Sequence, residues 1–117
     1  MDSNDIERLA ARLRDFATER DWDQFHSPKN LASALAVEAG EVLECFQWIT
    51  EPDSRRLDAD RRERVALELA DVLLYLIRLA DKLGVNLIEA AERKIAINAK
   101  RYPPALSRGS SRKYTEI

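Results

Sequence analysis

The stretch LAVEAGEVLECFQWI, residues 35–49, decides how this chain folds, because it has the apolar spacing of a packed helix and yet carries acids in its middle. At about 100° per residue, Leu35, Val42 and Phe46 fall on one apolar stripe along such a helix. Glu38 lies at the edge of that stripe, and Glu41 lies one step outside it. Two carboxylates are therefore expected to face the interior of the fold or to lie close to it.

The stretch ELADVLLYLIRL, residues 68–79, repeats this arrangement on another helix. Glu68 and Asp71 have the same spacing of three and the same angles to an apolar stripe. A short link separates the two helices, so we expect them to pack antiparallel, as neighbouring helices of a bundle do. The acid pair Glu38 and Glu41 would then meet the pair on the second helix at one point.

Start and stop signals along the chain predict four helices, and hence an all-α, four-helix-bundle-like fold. The first is expected to follow Ser3 or Asn4 and to run to about Glu19. The other three are expected over Pro28 to about Trp48, about Asp60 to Gly84, and Asn86 to just before Pro103. The predicted N-caps of the last three are Ser27, Asp60 and Asn86. The helical domain is expected to cover residues 1–104, followed by a short, irregular, basic and serine-rich tail over residues 105–117.

Composition narrows the class of protein. The 117 residues include 19 basic and 21 acidic side chains, and a net charge of -2 argues neither for a nucleic-acid partner nor for an anionic membrane surface. No apolar run approaches the roughly 18 residues of a membrane span. Cys45 is the only cysteine, which excludes an internal disulfide. Together with a polar amino-terminal stretch, it predicts a cytoplasmic protein.

Clustered carboxylates repel one another and prefer to be protonated unless a cation neutralises them. The acids are hard oxygen donors, and the only histidine, His26, is not in the Glu-x-x-His arrangement of di-iron bundles. This favours Mg²⁺, with Mn²⁺ as a substitute, and chemistry on phosphate esters or anhydrides. The alternative is that the acids are salt-bridge partners, either within the chain or in a non-enzymatic assembly or adaptor module.

The pattern Glu38-x-x-Glu41 followed by Glu68-x-x-Asp71 resembles the metal-binding motif of the MazG-like superfamily of all-α nucleotide pyrophosphohydrolases. Five further segments are similar, in order and spacing, to the dCTP pyrophosphatase branch of that superfamily. They are RDWDQFHSPKNL (20–31), GEVLECFQW (40–48), ELADVLLYLIRLAD (68–81), KIAINAKRYP (94–103) and SSRKYTE (110–116). The resemblance thus covers nearly the whole chain.

The resemblance implies hydrolysis of dCTP, or of a 5-modified dCTP, to dCMP and diphosphate in nucleotide-pool sanitation, with Mg²⁺ held by the two acid pairs. A related enzyme acting on another nucleotide, such as dUTP or a damaged dNTP, is the alternative. The resemblance also implies a homotetramer built as a dimer of dimers. The resemblance places Trp22, His26 and Trp48 around the base, Tyr75 and Asn98 near the sugar or base, and Lys94, Arg101 and Tyr102 near the polar end of the substrate.

Helix geometry and side-chain chemistry bear on some of these residues and on the mechanism. If the second helix continues to Trp48, the Trp48 indole lies beside Glu41 and could form an aromatic wall of the site. Lys94, Asn98 and Arg101 share one face of the fourth helix, where they could meet an anion. No serine or cysteine nucleophile has a base at a recognisable spacing, so we expect direct attack by water. Glu38 and Glu41 are the candidate catalytic carboxylates, with Glu41 as the base.

Overall fold

A computed structural model describes residues 2–117, apart from the side chain of Ser3. Within these residues the chain forms helices and no strand, so the predicted all-α fold is confirmed. The helices are α1 (Ser3–Glu19), α2 (Pro28–Glu44), α3 (Glu51–Ser54), α4 (Ala59–Leu83), α5 (Leu87–Arg101) and α6 (Pro104–Ser107). Single 3₁₀ turns lie at Asp23–Phe25 and Tyr114–Glu116.

The chain divides into two compact units, of which the first extends to Val85 and the second covers Asn86–Ile117. The sequence did not indicate a division at this point. The predicted boundary between residues 104 and 105 stays a prediction. No helix within residues 2–117 is long and apolar enough to cross a membrane.

Three predicted helix ends are confirmed by hydrogen bonds. The Asn30 amide donates to the hydroxyl of Ser27 (3.2 Å), with Pro28 in the first turn of α2. The Glu89 amide donates to the side chain of Asn86 (3.0 Å) at the start of α5. Gly84 ends α4 with φ of 67°, a left-handed conformation that glycine adopts without steric strain.

Three helix ends differ from the prediction. α1 begins at Ser3 rather than after it, because Asp2 is the N-cap and its carboxylate accepts a hydrogen bond from the Asp5 amide (3.0 Å). The N-cap of α4 is Asp58, whose carboxylate accepts a hydrogen bond from the Arg61 amide (2.7 Å), and Asp60 lies in the first turn instead. α2 ends at Glu44, because the backbone then tightens into turns, beginning where the Cys45 amide donates to the carbonyl of Val42 (3.1 Å). The prediction that this helix continues through residue 48 is therefore wrong.

In the first unit, α1 and α2 both pack against α4, which makes α4 its central helix. Leu31 of α2 and Ile77 of α4 are each only 1% exposed and are the largest fully buried side chains. Their burial stabilises the unit by about 1.5–3 kcal/mol per side chain. This packing also brings the acid-bearing faces of α2 and α4 together.

In the second unit, the carboxyl-terminal segment folds against the end of α5. The ring of Tyr114 packs edge-on against Tyr102, with ring centroids 6.0 Å apart. The guanidinium of Arg101 lies over the Tyr114 ring, 4.6 Å from the ring centroid. The sequence analysis predicted an irregular tail over residues 105–117. The structure instead has most of α6 and the 3₁₀ turn Tyr114–Glu116 in this segment.

Candidate functional site

Three carboxylates converge where α2 packs against α4. Glu38 and Glu41 lie one turn apart on α2, and Glu68 approaches from α4. One carboxylate oxygen from each of the three lies within 4.8 Å of the other two. The acid spacing in the sequence therefore identified residues that the fold brings together.

Asp71 has a different position from the other three acids. It is one turn beyond Glu68 on α4, is exposed, and lines a neighbouring cavity. Its charge still raises the pKa of Glu38 and of Glu68, so it contributes to the same negative potential. A ligand role for Asp71 stays a prediction.

The cluster contains buried carboxylate oxygens that no described group of the protein hydrogen-bonds. Oxygen Oε2 of Glu38 and Oε2 of Glu68 are buried and have no hydrogen-bond partner. Burial raises the pKa of Glu38 most, and the adjacent Glu41 carboxyl raises it further. Contact with Glu41 raises the pKa of Glu68 most, burial adds to this, and Arg64 opposes it. Unpaired hard oxygen atoms at one point fit a divalent cation such as Mg²⁺.

The ion pairs of the chain do not explain these acids. Eight side-chain ion pairs occur in the part of the chain that the structure describes, and none of them includes Glu38, Glu41, Glu68 or Asp71. Acids that were merely structural salt-bridge partners would have a basic side chain within 4.0 Å. The intramolecular salt-bridge alternative is therefore not supported.

A cavity of about 510 Å³ lies in the first unit, between α1, the loop after it, and α4. This volume falls in the range of about 300–1,000 Å³ that is typical of small-molecule sites. The residues that give it its aromatic and acidic character are Phe16, Trp22, His26, Asp71 and Tyr75. Since Asp71 follows Glu68 by one helical turn, the cavity begins next to the carboxylate cluster.

The structure thus places three of the predicted substrate residues, Trp22, His26 and Tyr75, on one cavity. The Trp22 ring makes edge-on contacts with two rings. Its centroid lies 5.7 Å from that of Phe16 and 6.5 Å from that of His26. Nδ1 of His26 accepts a hydrogen bond from the guanidinium Nε of Arg78 (3.2 Å). Burial lowers the pKa of His26 most, and the Arg78 charge lowers it further.

Sequence reasoning missed several residues of this cavity. Phe16 and Arg12, one turn apart on α1, line it but were not among the predicted site residues. Arg78 was also missed, although it interrupts the apolar run LLYLIRL and is only 5% exposed. A cation within an apolar helix stripe was the signal that could have identified it.

The other predicted substrate residues lie elsewhere. Trp48 follows the end of α2, is 87% exposed, and does not line the cavity of the first unit, so the expected helical position beside Glu41 is wrong. Its contact with the base stays a prediction. Four predicted residues belong to the second unit, where their role at the nucleotide also stays a prediction: Lys94, Asn98, Arg101 and Tyr102.

Comparison with known proteins gives related chains. Residues 34–117 match the MazG-like family. dCTP pyrophosphatase 1 of Homo sapiens is 51% identical over 115 residues, which make up 97% of this chain and 66% of that protein. The Mus musculus protein of the same name is 48% identical, with the same coverage. The chain therefore spans just under two thirds of the length of these relatives.

A solved structure is also similar. A pyrophosphatase from Archaeoglobus fulgidus DSM 4304 shares 41% sequence identity with this chain and superposes with a TM-score of 0.78. The match covers 83% of this chain and 91% of that protein. The similarity therefore extends over most of both chains.

Proposed function

The chain belongs to the MazG-like family, and from this membership we propose that it is a Mg²⁺-dependent nucleotide pyrophosphohydrolase that converts dCTP, or a 5-modified dCTP, to dCMP and diphosphate. The observation that carries the proposal is the cluster of Glu38, Glu41 and Glu68, with its two unpaired buried oxygens. The preference for dCTP rests on the relatives, which are named dCTP pyrophosphatase 1. The related archaeal structure is that of a pyrophosphatase.

The acids of α2 and α4 hold the metal in this proposal: Glu38, Glu41 and Glu68, with Asp71 at the side of the cavity. Mn²⁺ is the substitute expected from the ligand chemistry. When bound, the cation neutralises phosphate oxygens and the charge that develops on them. The protein contributes carboxylates that are already assembled, so the free energy of bringing them together is spent in folding.

Glu41 is the proposed general base. It is the acid that contacts both other members of the cluster, as its effects on the pKa of Glu38 and of Glu68 indicate. A carboxylate within hydrogen-bond reach of a water molecule can take its proton as the oxygen attacks phosphorus. Glu38, one turn before Glu41 on α2, is the second proposed catalytic carboxylate.

The cavity of the first unit holds the base of the nucleotide. Trp22 and Tyr75 offer aromatic surface, and His26 offers a polar group at the cavity wall. In this assignment the triphosphate reaches from the cavity past Asp71 to the carboxylate cluster. Lys94, Asn98, Arg101 and Tyr102 are proposed to meet the substrate, and Trp48 is proposed to meet the base.

A second copy of the chain is the proposed partner, in a homotetramer built as a dimer of dimers. Support comes from apolar side chains on α2 and α4 that are 52–62% exposed: Val37, Leu43, Leu67 and Leu69. Exposed apolar surface of this kind is typical of subunit interfaces. The buried free thiol of Cys45 supports a cytoplasmic location, where thiols stay reduced.

Hydrolysis of a panel of nucleoside triphosphates, followed as diphosphate release with Mg²⁺ or with EDTA, tests the proposal. We expect release with Mg²⁺ only, and the highest kcat/KM for dCTP or a 5-modified dCTP. Preference for dUTP or a damaged nucleotide would reassign the substrate within the family. Equal rates in EDTA would contradict the metal site, and no hydrolysis at all would favour an adaptor module.

A further inference from the structure

Arg78 is a buried cation within the first unit. Its side chain is only 6% exposed, and it emerges from α4 among apolar residues. Burying an unpaired guanidinium would destabilise the fold by several kcal/mol, so its partners must compensate for the lost hydration. Its partners are two acids, Asp23 and Asp81, and one neutral ring, His26.

The two acids fix the orientation of the guanidinium. Nη2 of Arg78 donates to Oδ1 of Asp23 (2.7 Å), and Nη1 lies 3.7 Å from Oδ2 of Asp81. Each acid also contacts a second cation, since Lys82 contacts Asp23 and Arg14 contacts Asp81 (2.8 Å). Because the N–H groups of a guanidinium form a rigid planar fork, the contacts of the two Nη atoms determine where Nε points.

Nε of Arg78 points at Nδ1 of His26, at 3.2 Å. An arginine side chain can only donate, so Nδ1 must be the acceptor and cannot carry a proton. A neutral imidazole then has its proton on Nε2. The lowered pKa of His26, caused by burial first and by the Arg78 charge second, keeps the ring neutral near pH 7.

His26 and Arg78 both line the cavity that is proposed to hold the base. With Nδ1 occupied, the only ring nitrogen left for a ligand is Nε2, and it can only donate. Cytosine has two adjacent acceptors, O2 and N3, on its pairing edge. Uracil and thymine instead have an N–H donor at position 3. All three pyrimidines accept at O2 and differ at position 3, so a fixed donor that meets position 3 matches N3 of cytosine and opposes the N–H of the other two.

We propose that Arg78 is a positioning residue that fixes the tautomer of His26, so that Nε2–H is presented to the acceptor edge of the base and favours cytosine over uracil and thymine. The assignment of the base to this cavity rests on the proposed function. The tautomer itself does not, because it follows from contacts within the free protein. The two parts can therefore be tested separately.

Nitrogen-15 NMR of the free protein tests the tautomer directly, because His26 is the only histidine in the chain. In wild-type protein at about pH 7.5, long-range couplings should show a proton on Nε2 and none on Nδ1. In Arg78→Lys, a single ammonium can pair with Asp23 but cannot also hold the fork geometry, so both tautomers should appear. The control Arg55→Gln removes an exposed ion pair with Glu51 that shares no residue with this network, and should leave the spectrum unchanged.

Kinetics test the consequence for the substrate. Arg78→Lys keeps the buried charge, so a purely structural role for Arg78 predicts wild-type selectivity in this variant. The proposal instead predicts that the ratio of kcat/KM for dCTP to that for dUTP falls by about tenfold, mainly through a higher KM for dCTP. Arg55→Gln should keep the wild-type ratio.

A wild-type spectrum with the proton on Nδ1, or with a charged ring, would overturn the inference without any variant having to fold. Unchanged selectivity in Arg78→Lys, with dCTP still hydrolysed, would overturn the role in base selection and leave the proposed function intact. A wild-type protein that hydrolyses no nucleotide would contradict the proposed function and base selection together. The tautomer would still be decided by the spectrum.

Discussion

Glu41 and Glu68 lie on different helices, yet their carboxylate oxygens approach within 4.8 Å at the contact of α2 with α4. Contact with Glu41 is the largest cause of the raised pKa of Glu68. The fold thus holds like charges together, and among residues 2–117 no basic side chain lies within ion-pair distance of them. Such an arrangement is unfavourable for stability alone, and it is favourable if the site binds a divalent metal ion.

Trp22 should contribute base-binding energy, because its indole lines the cavity and is held by an edge-on contact with Phe16. Base stacking on an aromatic side chain is worth about 1–3 kcal/mol, so Trp22→Ala should lower kcat/KM for dCTP by about ten- to a hundredfold. Phe25→Ala is the matched control, since Phe25 is 59% exposed and does not line the cavity. Equal losses in the two variants would contradict the placement of the base.

His26 should make stability depend on pH. Burial, followed by the charges of Arg78 and Lys82, lowers its pKa below 6.5, and Asp23 opposes this shift. Below pH 6.5 the unfolded chain therefore takes up a proton that the folded chain resists. The contribution of His26 to stability is full above pH 6.5 and is lost as the pH falls through the lower pKa of the folded state.

Urea unfolding of wild-type protein and His26→Gln at about pH 7.5 and about pH 5.5 measures this contribution. The carboxylates titrate in both proteins, so their effects on stability cancel in the comparison. The wild type should lose more free energy of unfolding than the variant over this interval. An equal or smaller loss in the wild type would show that the pKa of His26 is not lowered.

The oligomeric state should depend on the exposed apolar face of α2. Light scattering at micromolar concentration should give the mass of four chains for the wild type. Leu43 is 62% exposed, and Leu43→Lys would place a charge within the proposed interface, so the mass should fall. Glu44→Lys on the next position is the control. A monomeric wild type would contradict the proposed assembly.

The N-cap of α4 is Asp58 in the structure, whereas the sequence predicted Asp60. Since the Asp58 carboxylate accepts the Arg61 amide, Asp58→Ala should lower the free energy of unfolding by about 1 kcal/mol. Asp60→Ala, in the first turn, should change it by less than about 0.5 kcal/mol. A larger effect at Asp60 would support the cap predicted from the sequence.

Helix ends that depend on short-range hydrogen bonds could be predicted from the sequence. Ser27, Gly84 and Asn86 act through neighbours within three or four positions, so their patterns are visible in the chain. The end of α2 at Glu44 was not predictable in this way. Residues 45–49 continue the apolar spacing and contain neither proline nor glycine, so the sequence has no helix stop signal there.

The candidate site shows the same contrast. The acids of α2 and α4 could be predicted, because their spacing on each helix places them on the faces that pack together. The contact of Arg78 with Asp23 and His26 could not, since more than 50 positions separate it from either partner. It depends on how the loop after α1 packs on α4, and no periodic pattern records that packing.

Thermal unfolding of wild-type protein and Glu41→Gln, each with EDTA and with Mg²⁺ plus dCTP, tests the central claim that the carboxylate cluster is a catalytic metal site. In EDTA the variant should be at least as stable as the wild type, because one of the clustered charges is removed. Ligands should raise the Tm of the wild type, and the variant should lose most of that gain together with its activity. Glu44→Gln, an exposed acid on the same helix, should behave as the wild type. A less stable variant in EDTA, with an unchanged gain from Mg²⁺ and dCTP, would contradict the claim.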